Sequence, residues 1–222
     1  MTAYHLTGTL RGSELDEAWI GDGRIAWSAP RPGMPVTEIS GWIYPGLVDA
    51  HTHPGLSRTS ELVTDAEVVR RLEACRAQGV TLVREMGAQR SIAGVTGSGL
   101  PKVISAGQHI ARPKRYLRYL SSEIEPGELP AEALRQLARG DGWVKLVGDW
   151  IDLTDGADSV LRPLWPREVL IDAVAAVHDA GGKIAVHTFA TETIDDLLEA
   201  GIDCIEHGTG MTRDHLIEAR DR

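Results

Sequence analysis

From residue 42 onward the chain repeats one pattern: a short apolar run of β type, then a stretch with helical period. The runs are Ile43–Val48, Val80–Val83, Val103–Ile104, Val144–Val147, Lys183–Val186 and Asp203–Ile205. Between them lie helix signals. Thr64 with Glu67 three residues on forms a capping box. Ala66, Val69 and Leu72 give that helix an apolar stripe, and Gly79 stops it. Pro166 opens a second helix at a first-turn position. Leu170, Ala173, Val174 and Val177 supply its apolar face and Gly181-Gly182 close it. Ile194, Leu197 and Leu198 mark a third helix ending at Gly201, and Asp214–Arg220 a fourth. Strands alternating with helices build right-handed βαβ units around a parallel sheet. Uninterrupted apolar strands suit a sheet covered on both faces. Periodicity leaves two architectures open, a doubly wound sheet and most of an eight-stranded barrel.

The first forty residues differ. Ala18–Ile20 and Arg24–Trp27 flank Gly21-Asp22-Gly23, a hairpin turn. Ser28–Pro35, with three prolines, reads as an irregular connection. The chain is therefore expected to divide into a small β segment, 1–42, and an α/β body, 43–222. The stretch 113–131, with Pro113, Pro126, Gly127 and Pro130, reads as the longest functional loop.

Composition narrows the partners. With 222 residues, 42% hydrophobic and 25% charged, the chain is globular and can bury a core. Its net charge of −9, without a basic stripe, argues against nucleic acid. No apolar run reaches membrane-spanning length, and Met1–Thr7 lacks the features of a secretory signal. Cys75 and Cys204 are far apart, which excludes a disulfide framework and a paired-cysteine zinc site. A reducing cytoplasm is the expected location. Chemistry is left to His, Lys, Asp and Glu.

Of eight histidines, four stand at or just past the C-terminal end of an expected strand: His51, His53, His187 and His207. In parallel α/β folds that is where ligands bind. His51 and His53 are spaced i, i+2, so extended backbone points both the same way. One such histidine alone is usually a hydrogen-bonded surface or core group; four at matched positions suggest metal ligation, for which neutral imidazole suits zinc. Lys145 interrupts the apolar strand Trp143–Val147. A strand lysine either snorkels to solvent or, if buried, finds a partner. His109, Arg112, Lys114, Arg115 and Tyr116 follow the third strand; they read as a solvated basic loop or, for Arg115 and Tyr116, as a substrate carboxylate site. Gly94–Gly99 reads as a flexible loop, and His178 and His215, on helices, have no expected role.

These residues resemble the amidohydrolase superfamily, in its imidazolonepropionase-like and zinc prolidase-like branch. The matching stretches are Pro45–His53, Gly79–Gly87, Trp143–Lys145, Ile184–His187 and Glu199–Gly210, which ends in Ile-Glu-His-Gly-Thr-Gly. The resemblance implies a (β/α)8 TIM barrel, here incomplete at about six βα units, preceded by part of a small β-sandwich. It implies that His51 and His53 bind one divalent metal, with zinc the best match for a mixed His and carbamate site, and that His187 and His207 bind a second. Lys145, carbamylated by carbon dioxide, would bridge the two, and a shared hydroxide would attack a C–N bond of an amide, cyclic amide or dipeptide-like small molecule.

The family also closes its site with an aspartate at the end of the eighth strand, a metal ligand and proton carrier. No residue here matches it: Asp214 and Asp221 fall on an expected helix, and Asp149, Asp152 and Asp155 read as loop or cap residues. The matched stretches correspond to the N-terminal portion of the family, so a homo-oligomer or a C-terminal portion is expected to cover the open sheet edges. The rival readings are a truncated, non-catalytic metal-binding or interaction protein and, among enzymes, a nucleobase or amidine deaminase.

Overall fold

A computed structural model describes residues 3–29, 33–95, 97–117, 119–152, 154, 156 and 159–222. The chain separates into two compact units, Met1–Leu47 and Val48–Arg222.

The first unit holds β1 (Ala3–Leu10), β2 (Glu17–Gly21), β3 (Arg24–Ala26) and β4 (Val36–Ile43) in one sheet of order β3-β2-β1-β4. β2 and β3 form the hairpin around Asp22 and Gly23, both left-handed at φ 52 and 72 as a tight hairpin turn requires. β1 and β4 run parallel with Gly8 opposite Gly41. A Cβ on Gly8 would lie 2.3 Å from the Gly41 carbonyl oxygen, so glycine is what lets these strands close. Leu6, Leu10 and Ala18 make a small core with Ile20 and Ile43. The described residues form a single sheet, where a sandwich segment was expected; Ile25, Trp27 and Trp42 remain exposed. Of the irregular connection 28–35, residues 30–32 lie outside the described residues.

The second unit is mixed α/β with parallel sheets. Its elements are β5 (Leu47–Thr52), α1 (Asp65–Ala77), β6 (Val80–Glu85), β7 (Lys102–Ser105), β8 (His109–Ala111), β9 (Ser121–Glu123), α2 (Leu129–Leu137), β10 (Trp143–Val147), β11 (Asp149–Ile151), β12 (Leu161–Pro163), α3 (Arg167–Asp179), β13 (Lys183–Thr188), α4 (Thr191–Ala200), β14 (Cys204–His207) and α5 (Arg213–Asp221). One sheet has the order β14-β13-β10-β8-β9 and another β5-β6-β7. The pairings β6–β7, β8–β9, β8–β10, β10–β13 and β13–β14 are all parallel.

Side-chain alternation along β10 splits two environments. Val144 and Leu146 enter the main core with Leu170, Ala173, Val174 and Val177 of α3 and Ile184 and Val186 of β13. Each such valine, leucine or isoleucine contributes about 1.5–3 kcal/mol by leaving water. Trp143, one position from Val144, instead joins Met86, Ala106, Ala185 and Cys204. Trp165 anchors the loop before α3 by donating from Nε1 to the Val147 carbonyl at 2.7 Å.

Several local expectations shift. The first strand of the body starts at Leu47 rather than Ile43, which ends β4. Half of the expected α1 capping box is present, Thr64 accepting from the Glu67 N–H at 3.3 Å, while the Glu67 carboxylate pairs with Arg70 and Arg71; Val68 and Leu72 are the buried pair and Ala66 is exposed. Pro166 is the N-cap of α3 rather than its first residue. Residues 113–131 are not one loop: they contain β9, a 3-10 turn at Pro126–Glu128 and the start of α2. In the Gly94–Gly99 stretch Thr96 lies outside the described residues, as does Asp155. No helix among the described residues is long and apolar enough to cross a membrane.

Candidate metal and catalytic site

Parallel pairing brings the strand ends to one level. Val147 of β10 is opposite His187 of β13, and His187 and Thr188 are opposite Glu206 and His207 of β14. The rings then close a circuit. His109 lies 5.3 Å from His53 between centroids, His53 5.3 Å from His51, His51 5.0 Å from His207, and His207 4.8 Å from His187. Tyr116 completes it at 5.3 Å from both His187 and His109. Trp150 and Phe189 pack on the His187 side, at 5.4 and 4.5 Å.

Lys145 is fully buried and pairs with Glu206, so it does not snorkel to solvent. Glu206 is the polar hub. Its Oε2 meets Lys145 Nζ and lies 2.9 Å from His51 Nδ1, and its Oε1 accepts from Arg84 Nη2 at 3.3 Å. Burial resists charge on Glu206, but the His51 hydrogen bond and the Lys145 charge overcome it and hold the carboxyl at about 2. Burial pulls Lys145 below its ordinary value against the attraction of Glu206. On the other side His53 Nδ1 is 3.2 Å from Glu85 Oε1, and the second oxygen of Glu85 accepts from Ser105 Oγ at 3.0 Å.

A ligating histidine commonly gives its second nitrogen to a carboxylate, which fixes the ring and leaves the other nitrogen for the metal. His51 with Glu206 and His53 with Glu85 have that arrangement. His187 is 4% exposed, and neither of its ring nitrogens has a hydrogen-bond partner. The same holds for His109 at 1%. Burial, then the neighbouring His207 and Lys145, lower His187 to about 3, so it stands neutral with a free lone pair. Burial and His53 lower His109 likewise, and burial and His51 lower His207. Among the described residues no group of three His, Cys, Asp or Glu side chains has already converged around a metal position. The donors nonetheless fit a metal: neutral imidazoles, orphaned buried nitrogens and carboxylates behind the rings.

His207 has a left-handed backbone, φ 67, followed by Gly208 at φ 59. Such a conformation costs a residue with a Cβ about 1–2 kcal/mol. The Gly208 N–H donates to Thr188 and Glu206 carbonyls, which holds this turn in place. Asp149 holds the matching turn after β13. It is fully buried and accepts from Thr188 Oγ1, from the Phe189 N–H at 3.0 Å and from the Ala190 N–H at 3.1 Å. From the start of β11 it caps a turn 40 positions on, where its sequence context suggests a loop or cap residue of its own connection.

The structure thus brings together His51, His53, Lys145, His187 and His207. Of the two substrate candidates, Tyr116 lines the ring circuit, its phenol raised to about 12 by burial and Glu206. Arg115 pairs with Asp152. Arg112 pairs with Glu125. Glu206, Glu85, Arg84 and Trp150 carry no individual reading in the sequence. The usable signal for the two glutamates was an acid at the end of each of two apolar strands, Val-Arg-Glu and Ile-Glu-His. His178 pairs with Asp203, and His215 with Asp195 and the Thr212 cap, away from the circuit.

No family model matches the chain. An uncharacterized protein of Mycobacterium tuberculosis is 44% identical over 202 residues, covering 90% of this chain and 53% of that protein. An imidazolonepropionase of a Shewanella species is 31% identical over a region covering 31% of this chain and 23% of the enzyme. Among solved structures, a Xaa-Pro dipeptidase with bound methionine superposes with a TM-score of 0.75 at 20% identity, covering 99% of this chain and 64% of its own. An Aspergillus niger ochratoxinase superposes with a TM-score of 0.74 at 18% identity, covering 99% and 63%. The chain spans about half the length of the curated relatives it matches. Its fold is that of the prolidase-like and amidohydrolase structures, and in sequence and fold together the chain is similar to a portion of the amidohydrolase superfamily.

Proposed function

We propose that this chain supplies the metal-binding part of a hydrolase that cleaves a C–N bond in an amide, cyclic amide or dipeptide-like small molecule. One observation carries the reading. Four histidines at or just past the ends of β5, β13 and β14 lie ring to ring, the fully buried Lys145 pairs with the Glu206 that also meets His51, and both nitrogens of His187 are buried without partners. The solved structures sharing the fold include a dipeptidase and an ochratoxinase, which supports the reaction class.

In this reading the second unit is about six units of a (β/α)8 barrel. His51 and His53 hold one divalent ion, zinc by donor preference, and His187 and His207 a second. Lys145, if carbamylated by carbon dioxide, would supply an anionic ligand to complement these neutral imidazoles. Bound cations of this kind polarise a carbonyl and acidify water for attack. The chain's own residues orient the site: Glu206 and Glu85 fix the His51 and His53 rings, and Asp149 fixes the turn carrying Phe189. Tyr116, Trp150 and Phe189 form an aromatic wall on the His187 side, suited to excluding water around a small substrate. Turnover also needs a proton carrier, which the family places on its eighth strand.

Zinc binding tests the reading directly. Dialysis against zinc followed by elemental analysis is expected to give two ions per chain, falling to one or fewer in His187→Ala or His51→Ala. A chain that takes up no zinc, or whose uptake survives both substitutions, overturns the metal site. If the product of the native gene exceeds the mass of these 222 residues, it is expected to hydrolyse amides from a dipeptide and N-acyl amino acid panel, with Lys145→Ala inactive. Zinc binding without hydrolysis in every form would favour the non-catalytic binding role.

A further inference from the structure

We propose that the cleft between the 112–120 connection and β9 binds a free α-amino acid as its zwitterion, Lys114 taking the carboxylate and Glu123 the ammonium group. None of the described residues lining this cleft belongs to the histidine circuit, so the site is independent of the metal-hydrolase reading above.

The cleft holds about 490 Å³, inside the range of about 300–1,000 Å³ usual for small-molecule sites. Lys114, Tyr119, Ser121 and Glu123 line it. Alternation along β9 accounts for two of them. Ser122 turns to α2, where its Oγ donates to Glu132 at 2.6 Å, so Ser121 and Glu123 share the opposite side. Ser121 Oγ is buried, and among the described residues it has no hydrogen-bond partner. Nearby charges are matched, Arg112 with Glu125 and Arg115 with Asp152. Lys114 and Glu123 bring opposite charges to the same cleft, yet no ion pair joins either of them to a described residue. A molecule with a carboxylate and an ammonium group satisfies both through charge-assisted bonds and offers the Ser121 hydroxyl a partner. A plain anion would face Glu123 unpaired, and a plain cation would face Lys114.

The backbone presents two of these side chains under strain. Residues 112–115 form a turn closed by the Arg115 N–H on the Arg112 carbonyl at 3.0 Å, with Pro113 second and Lys114 third at φ 61. The Leu120 N–H likewise donates to the Leu117 carbonyl at 3.4 Å, and Tyr119 between them is left-handed at φ 68. A left-handed third position in a turn favours glycine. A lysine or tyrosine there is strained by its own Cβ. Both strained residues line the cleft. Removing either side chain therefore relieves the backbone, and the loss falls on binding.

The test titrates the 222-residue chain, without zinc, with L-alanine, propionate and ethylamine, and follows the backbone amide and Tyr119 ring resonances by NMR. L-alanine is expected to give saturable shifts at Lys114, Tyr119, Ser121 and Glu123. Propionate and ethylamine, each lacking one of the two charges, are expected to bind at least tenfold more weakly. Lys114→Gly and Glu123→Gln are each expected to weaken L-alanine binding at least tenfold, and Lys114→Gly to melt no earlier than wild type. Earlier melting of Lys114→Gly with L-alanine binding unchanged would assign Lys114 to packing and overturn the proposal. So would the absence of a saturable shift at these residues, propionate binding as well as L-alanine, or shifts confined to Tyr116 and His187. If Lys114→Gly does not fold, Lys114→Met decides: a tenfold loss of L-alanine binding supports the site, and unchanged binding overturns it. Zinc uptake is read separately, so failure here leaves the metal reading standing.

Discussion

The Nδ1 atom of His53 lies 3.2 Å from Oε1 of Glu85, a glutamate with no solvent exposure at the end of β6. With Ser105 on its other oxygen, Glu85 has one orientation and imposes one on the imidazole. Behind a metal ligand such carboxylates are worth about 10–100-fold in affinity. Glu85→Gln is therefore expected to weaken zinc binding about tenfold or more, with the unfolding midpoint little changed. Isothermal titration with zinc, beside a thermal melt, checks both halves; unchanged affinity would detach Glu85 from the site.

The left-handed His207 sets stability against ligation. Asparagine tolerates that conformation better than other side chains with a Cβ. His207→Asn is expected to keep or raise the melting temperature, with a gain of up to about 1 kcal/mol, while zinc affinity falls. A variant that melts earlier would mean that His207 packing outweighs its backbone strain.

Asp149 joins the start of β11 to the turn after β13 through Thr188, Phe189 and Ala190. Removing a buried carboxylate from these donors leaves them unsatisfied. Asp149→Ala is expected to cost about 3 kcal/mol and to loosen His187 and Phe189 together. Urea denaturation gives the first quantity, and the His187 ring resonances the second. A loss under about 1 kcal/mol would mean that water replaces the carboxylate there.

His5 lies between Glu17 of β2 and Glu38 of β4, at 3.1 and 2.7 Å, and stacks on Trp19. The Glu17 hydrogen bond leads in raising its pKa above 6.5, burial works against it, and Glu38 adds to the rise. A folded value above the unfolded one gives stability that is full below about pH 6.5 and lost as pH climbs through the raised value. The first unit is thus expected to lose this contribution as pH rises above about 6.5. A proton NMR titration of the His5 ring should place its midpoint above that of an unstructured histidine, and His5→Gln should remove the pH dependence. A midpoint at or below the unstructured value would sink the argument.

The helix most fully visible in the sequence was the one whose apolar residues are also the buried ones. α3 is the clear case: Leu170, Ala173, Val174 and Val177 recur at helical spacing and all face the core. α2 is the converse. Two of its four buried residues are Glu132 and Gln136, hydrogen-bonded to each other, to Ser122 Oγ and to the Gln108 N–H. Polar residues buried by mutual hydrogen bonding leave no mark in an apolar count, so α2 carried no helix reading in the sequence, while Pro113, Pro126, Gly127 and Pro130 made residues 113–131 read as loop.

The site divides the same way. His51, His53, His187 and His207 were legible because strand-end position is a matter of sequence order. Glu206 was not, since its role comes from contact with Arg84, His51 and Lys145, residues 122, 155 and 61 positions away. His109 follows a strand as well, yet its basic neighbours suggested a solvated loop. In the structure Arg112 and Arg115 pair with acids while His109 sinks beside Tyr116.

β14 has one strand neighbour among the described residues, and α5 follows it with a single buried residue, His215. That residue reaches Asp195 of α4 at 3.1 Å, and Leu216 and Ile217 stay exposed. Amide protons in such a helix exchange through local fraying rather than through loss of the whole fold. Deuterium uptake along α5 will therefore time how often His215 lets go of Asp195, and the slowest clock in the molecule will be found in β10 and β13.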